Sequence, residues 1–320
     1  MYLVDNHRDL LQLASAIIFN HFLYAMGSNL SQTFPPKPLF SVEQIPDLTG
    51  QVIIALLNKN AKVYLAARSK SRADDAIEWL KSEANGKAPA FLELDLGNLA
   101  SVRKAVEEFK SKEQELHVLF NNAGVMAPPV EQRTFDGYDL QFGTNVLGHY
   151  FFTILLLPTL IHTAKNSPLA STASVYLAPK AGIVWETLGT GVSSITACKK
   201  LGTHTLYAQS KLGNVLFSNE LAKRYAHQGV ISSSLNPGNL QTELLRHLPW
   251  LASKILSLIL YPASYGALTQ LWSGTMPEGK DHNGKFLIPW ARVGDAGANS
   301  HNEELAENLW NWLEEQVKGH

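Results

Sequence analysis

Short apolar runs alternate with amphipathic stretches along most of this chain. Residues 49–54 and 62–67 read as strands, and residues 71–83 place Ala73, Ile77 and Leu80 on one face of a helix. Residues 90–95 predict another strand, and Asn98 caps a predicted helix through Phe109. A further strand is expected over 116–121, followed by a long, mostly apolar helix over 138–161 that suits a central, buried position. Later come a helix over 215–228, strands over 230–236 and 284–289, and a closing helix over 303–317. Strands alternating with helices predict an α/β fold, a doubly wound parallel sheet covered on both faces. Ligand sites in such sheets lie at the carboxyl ends of the strands. Asp95, the run Asn121-Asn122-Ala123-Gly124 and the pair Pro237-Gly238 all fall at such ends.

The first 44 residues break this pattern and are read as an N-terminal extension with a proline-rich lead-in, ahead of one domain over 45–320. Residues 10–24 are apolar-rich but broken by Gln12, Ser15, Asn20 and His21, short of the ~20 predominantly apolar residues of a membrane span. Residues 1–25 are therefore expected to provide at most a weak membrane contact. Thr33-Phe34-Pro35-Pro36-Lys37-Pro38 is an extended, proline-stiffened connection.

Composition adds exclusions. A net charge of -1 over 320 residues, with no basic stripe, argues against a nucleic-acid partner. The single Cys198 excludes an internal disulfide and a cysteine metal cluster, and it fits a reducing, cytoplasmic setting. The histidines show no metal-ligand spacing, so no metal is expected.

Candidate chemistry centres on Tyr207 and Lys211, four residues apart in Tyr207-Ala-Gln-Ser-Lys211. On a helix that spacing puts both side chains on one face. An ammonium beside a phenol favours the phenolate and would bring its pKa from ~10 toward neutrality, as proton transfer requires. A second match, Tyr176 and Lys180, contains Pro179, which interrupts a helix and frees the two side chains from sharing a face.

Taken in order, Asp95-Leu96, Asn121-Asn122-Ala123-Gly124, Asn145 in Gly-Thr-Asn145-Val-Leu-Gly-His, Tyr207 with Lys211, and Pro237-Gly238 followed by Thr242 resemble the short-chain dehydrogenase/reductase family, most closely its retinol-dehydrogenase-like branch. The resemblance covers about residues 45–320. It implies a Rossmann-like fold and an oxidoreductase that moves a hydride between NADP and a small hydrophobic alcohol or carbonyl. It assigns Tyr207 as the acid/base, Lys211 to the nicotinamide ribose and to depressing the Tyr207 pKa, and Asn145 to a water relay toward Lys211. Asp95 would meet the adenine, Asn122, Ala123 and Gly124 the adenine ribose, and Pro237, Gly238, Leu240 and Thr242 the nicotinamide end. Arg68 stands where the family sets a cation against a 2′-phosphate. A guanidinium suits phosphate better than the ribose hydroxyl of NAD, so NADP is the expected cofactor. The apolar residues of 244–261 could cover a substrate, a homodimer contact or a membrane surface.

The chain departs from the family in two places. No glycine-rich turn follows the first strand; only residues 55–61 separate it from the next strand, whereas a parallel crossover with its helix needs at least about 10–12. The first βαβ unit is thus expected to be incomplete and cofactor binding impaired. The second departure is in 165–175, where the family has a strand ending in a serine. Pro168 disfavours a central strand there, and Ser174 is the candidate serine, with Ser171 and Thr172 as alternatives. Abrupt joins between family-like stretches favour a truncated reductase. The alternative is a non-catalytic binding or interaction protein on a truncated dinucleotide fold.

Overall fold

The computed structural model describes residues 31–53, 59–164, 182–240 and 260–320. Strand β1 (Val52–Ile53) pairs in parallel with β2 (Lys62–Ala67), and β2 pairs in parallel with β3 (Ala90–Glu93). On the other side of β1 lies the extended segment expected as a strand over 116–121. The His117 N–H donates to the Val52 carbonyl at 3.0 Å, and the Val52 N–H returns to His117 Nδ1 at 3.1 Å. That ring takes a place a main-chain carbonyl would hold in a regular ladder. A second sheet holds β4 (Ser234–Leu235), parallel to β5 (Phe286–Ile288), with β6 (Arg292–Gly294) antiparallel at its edge. The late strands are thus shorter than the apolar runs over 230–236 and 284–289 predict.

Both faces of the first sheet are covered, as β-strand alternation requires. Val63 and Val118 join Phe40, Ile45, Leu48 and Leu271 on one side. Tyr64, Leu92, Leu116 and Leu119 join the larger cluster on the other, where helices α2 (Leu99–Lys112), α3 (Leu140–Ala164), α5 (Thr203–Tyr225) and α7 (Glu303–Gln316) supply Phe109, Tyr150, Leu216 and Trp310. Helices α1 (Lys70–Glu83), α4 (Val192–Leu201) and α6 (Tyr265–Thr275) complete the described set. This is the doubly wound α/β arrangement that the alternating pattern predicts. Asn98 caps α2, its side chain accepting from the Ser101 N–H at 3.2 Å. Phe40 of the proline-rich lead-in is buried in the smaller cluster, so that segment contributes to the core.

Helix α3 is long and apolar enough to cross a membrane by length and composition, yet 72% of its most apolar window is buried inside the protein. Its first part is not α-helical throughout: residues Gly143–Gly148 form a π-helical turn between the short α-turn Leu140–Phe142 and the regular helix His149–Ala164. Insertions of this kind widen the helix locally and recur at functional sites. The π-turn packs tightly on the loop after β3. A β-carbon added at Gly148 would lie 2.2 Å from the Leu96 carbonyl oxygen.

That contact makes a signed prediction. In an open helix Gly→Ala stabilises by roughly 1 kcal/mol. Here overpacking against a backbone atom dominates, and Gly148→Ala is expected to destabilise the fold by about 1–3 kcal/mol in denaturant unfolding. A gain in stability would contradict the packing of α3 on the Leu96 turn.

Candidate active site

Tyr207 and Lys211 lie inside α5, which begins at Thr203, twelve residues before the helix expected from periodicity. Their four-residue spacing holds them on one face, with Lys211 Nζ 5.4 Å from the centre of the Tyr207 ring. The ammonium therefore stands over the ring, a cation–π arrangement. The expected lowering of the tyrosine pKa is not what this geometry produces. Burial pushes the Tyr207 phenol above its ordinary value, and burial pushes Lys211 down to about 8. Loss of hydration penalises both charged forms, and it outweighs the attraction between them here.

Asn145, fully buried in the π-turn, ties this helix to the loop after the 116–121 segment. Its Oδ1 accepts from the Val125 N–H at 2.8 Å, and its Nδ2 donates to the Val125 carbonyl and to Ser210 Oγ, each at 3.0 Å. Ser210 Oγ in turn donates to the Tyr207 carbonyl at 2.8 Å. Gly124 sits in the narrowest part of this arrangement. A β-carbon there would come within 2.9 Å of Asn145 Oδ1 and 3.6 Å of Lys211 Nζ. Gly124, Asn145, Tyr207, Ser210 and Lys211 are thus brought into one constellation by three different segments. Gln141, one turn ahead of Asn145, holds the same loop further along by accepting from the Ala127 N–H at 2.9 Å.

The remaining expected residues fall into two groups. Arg68, exposed just past β2, and Asp95, past β3, line a cavity of about 410 Å³ with Glu93, Asn98, Ser101 and Lys104. Asp95 Oδ1 accepts from the Gly97 N–H at 2.9 Å, and Gly97 abuts Thr144, the chain neighbour of Asn145. Asn122 and Ala123 are exposed in the loop that Asn145 pins. Pro237, Gly238 and Leu240 lie at the end of β4, placed by other contacts. The Gly238 N–H donates to Asn236 Oδ1 at 2.9 Å, and its α-carbon packs so closely on Trp290 that a β-carbon would lie 2.5 Å from the indole. Gly238 has φ of 88°, in the left-handed region that glycine permits. Ser174, with its alternatives Ser171 and Thr172, and Thr242 lie outside the described residues, as do Tyr176 and Lys180. No cluster of metal-ligating side chains occurs among the described residues.

Reading the residues by motif overlooked Ser210, Gln141 and His149. Each carries a positional signal: Ser210 stands between Tyr207 and Lys211, and Gln141 and His149 stand four residues before and after Asn145.

The fold defines the class of doubly wound α/β proteins, here with a Tyr/Lys pair on a helix beside the loop that follows the 116–121 segment. Comparison with known proteins narrows it. The short chain dehydrogenase family model matches residues 49–183. A short-chain dehydrogenase/reductase of Armillaria gallica is 49% identical, covering 91% of this chain and 98% of that protein. That match runs over 310 residues while taking in 91% of a 320-residue chain, so it includes positions with no counterpart in this chain. The chain belongs to the short-chain dehydrogenase/reductase family of oxidoreductases. Its fold is similar to that of the Pseudomonas aeruginosa RhlG/NADP active-site complex, with 20% identity, a TM-score of 0.58, and coverage of 77% of this chain and 96% of that one. It is likewise similar to the NADPH-bound carbonyl reductase from chicken fatty liver, at 18% identity, a TM-score of 0.54, and coverage of 77% and 98%.

The depressed Lys211 pKa predicts a pH signature. Below about 8 the amine is charged in both folded and unfolded chains, and its burial cost is fully present. Between about 8 and the ordinary lysine value of 10.5 the unfolded chain binds more protons than the folded one. The Lys211 contribution to stability therefore rises with pH across that window. Unfolding of wild type and Lys211→Met at pH 7.5 and pH 9.5 should show a stability gap in favour of Met that narrows at the higher pH. A gap independent of pH would contradict a buried, titrating Lys211.

Proposed function

We propose that this chain is an NADP-dependent oxidoreductase of the retinol-dehydrogenase-like branch, acting on a small hydrophobic alcohol or carbonyl, with a cofactor seat weakened at its pyrophosphate end. The observation that carries the reading is the buried Lys211 ammonium, set between Gly124 and the Tyr207 ring with no carboxylate ion pair among the described residues. A buried cation of this kind suits polar ligand oxygens. The Gly124 backbone approaches so closely that a β-carbon would lie 2.9 Å from Asn145 Oδ1, which keeps the loop against Asn145 and beside the Lys211 amine. Bound nicotinamide supplies or accepts the hydride. Tyr207 passes the proton to or from the substrate oxygen, and Lys211 orients the ribose. Asn145 fixes the loop and organises the relay toward Lys211, with Ser174 as the partner of the substrate oxygen. Asp95 meets the adenine, Asn122 and Ala123 line its ribose, and Arg68 faces the 2′-phosphate. Pro237, Gly238, Leu240 and Thr242 border the nicotinamide.

The weakened end follows from the sequence between the first two strands. No glycine occurs between Gly50 and Gly86, whereas a backbone that approaches a pyrophosphate closely at this turn relies on glycines. The direct parallel pairing of β1 with β2 across so short a connection supports loss of a segment here. The same glycine-free connection favours the second reading, a non-catalytic binding protein on a truncated fold.

NADPH titration followed by nicotinamide fluorescence separates the two. Saturable binding is expected, weaker than micromolar; no saturation at about 1 mM, a binding free energy of only about 4 kcal/mol, would sink the enzyme reading. With binding established, Tyr207→Phe should lower turnover by about 10²–10⁴-fold and leave NADPH affinity in place. Unchanged turnover would remove Tyr207 from the mechanism.

A further inference from the structure

His149 is buried in α3, one turn beyond Asn145, and has no part in the chemistry assigned above. Its ring Nδ1 lies 2.9 Å from the Asn145 main-chain oxygen. Its own main-chain N–H is committed elsewhere, to the Val146 carbonyl, so it is the ring that reaches back to the carbonyl four residues earlier. Asn145 therefore has two separate duties. Its side chain is spent on Val125 and Ser210, and its carbonyl is engaged by His149. A carbonyl oxygen accepts two hydrogen bonds, and the ring takes one of its lone pairs.

We propose that His149 is a positioning residue that, as a neutral ring donating from Nδ1–H, holds the Asn145 carbonyl in the π-turn in a fixed direction before any cofactor enters. The catalytic half of this inference rests on the reductase reading above; the geometric half does not. Proton bookkeeping supports it. A carbonyl accepts and cannot donate, so Nδ1 must carry a hydrogen, and the partner of one ring nitrogen determines the tautomer. Burial pushes His149 down to about 4, the hydrogen bond to Asn145 opposes that shift, and Lys211 adds to it. Lys211, from α5, is the charged group that acts on the ring among the described residues. A second cation beside a buried Lys211 would be costly, so the ring keeps one proton and one orientation throughout the physiological range.

The test uses the full chain without cofactor, with ¹⁵N in its histidine rings. Long-range ¹H–¹⁵N correlation, with the His149 signals assigned by their loss in His149→Leu, should show the Nδ1–H tautomer unchanged from pH 8 to pH 5. An Nε2–H tautomer, or titration near the ordinary histidine value, would overturn the proposal. His149→Asn places an amide donor near the position of Nδ1, and His149→Leu removes the donor. If the held carbonyl serves the relay, His149→Leu should lower kcat by about ten- to a hundredfold and shift its pH profile, with His149→Asn restoring both. Equal loss in the two variants, with equal thermal stability, would reduce His149 to packing and refute the relay role. A wild-type chain that binds no NADPH would count against the reductase reading, and the tautomer would then decide the positioning claim by itself.

Discussion

A buried primary amide must find partners for its oxygen and both hydrogens, and in this protein that requirement falls on Asn145. An unpaired buried polar group costs ~1–3 kcal/mol, so the amide can be accommodated only where a loop and a neighbouring helix both come to it. The Val125 main chain comes from the loop, and Ser210 comes from α5. Everything near the candidate chemistry follows from this meeting. The loop must approach so closely that residue 124 has no side chain, the helix must widen into a π-turn, and Lys211 is closed in against Gly124.

The enclosure sets the electrostatics. Lys211 loses most of its hydration without gaining a carboxylate among the described residues, and Tyr207 loses hydration beside it. The pair thus stands with the phenol less acidic and the ammonium more acidic than in water, opposite to the simple picture of one charge lowering the other's pKa. Ligand oxygens at Lys211 would restore the lost solvation. The arrangement is held by packing and hydrogen bonds, and a polar ligand there would relieve part of its desolvation cost.

The first strand pair shows the opposite economy. β1 and β2 retain parallel pairing, and the lead-in adds Phe40 to the core beneath them. The lead-in is also tied to the β4 end. Asn236 Nδ2 donates to Gln32 Oε1 at 2.9 Å, and Arg292 reaches Ser31 Oγ at 2.9 Å. The sheet thus persists although no glycine occurs between Gly50 and Gly86. Its hydrophobic faces depend on strand alternation, whereas the pyrophosphate seat depends on a few residues without side chains.

Local regularities along the chain sufficed for the fold class, for the helices over 70–83, 99–112 and 303–316, and for the pairing of Tyr207 with Lys211, because apolar period, caps and four-residue spacing are short-range properties. They were poorer guides to the strands over 230–236 and 284–289, which pair over only two or three residues, since pairing depends on neighbours remote in sequence. They also misjudged the Tyr207 pKa, because burial, invisible in a spacing of four, decides its sign. Motif reading chose Asn145 as a residue type at a place. Only the folded chain showed that its side chain serves the loop and Ser210 while its carbonyl meets His149, since hydrogen-bond partners from three segments are assigned by packing.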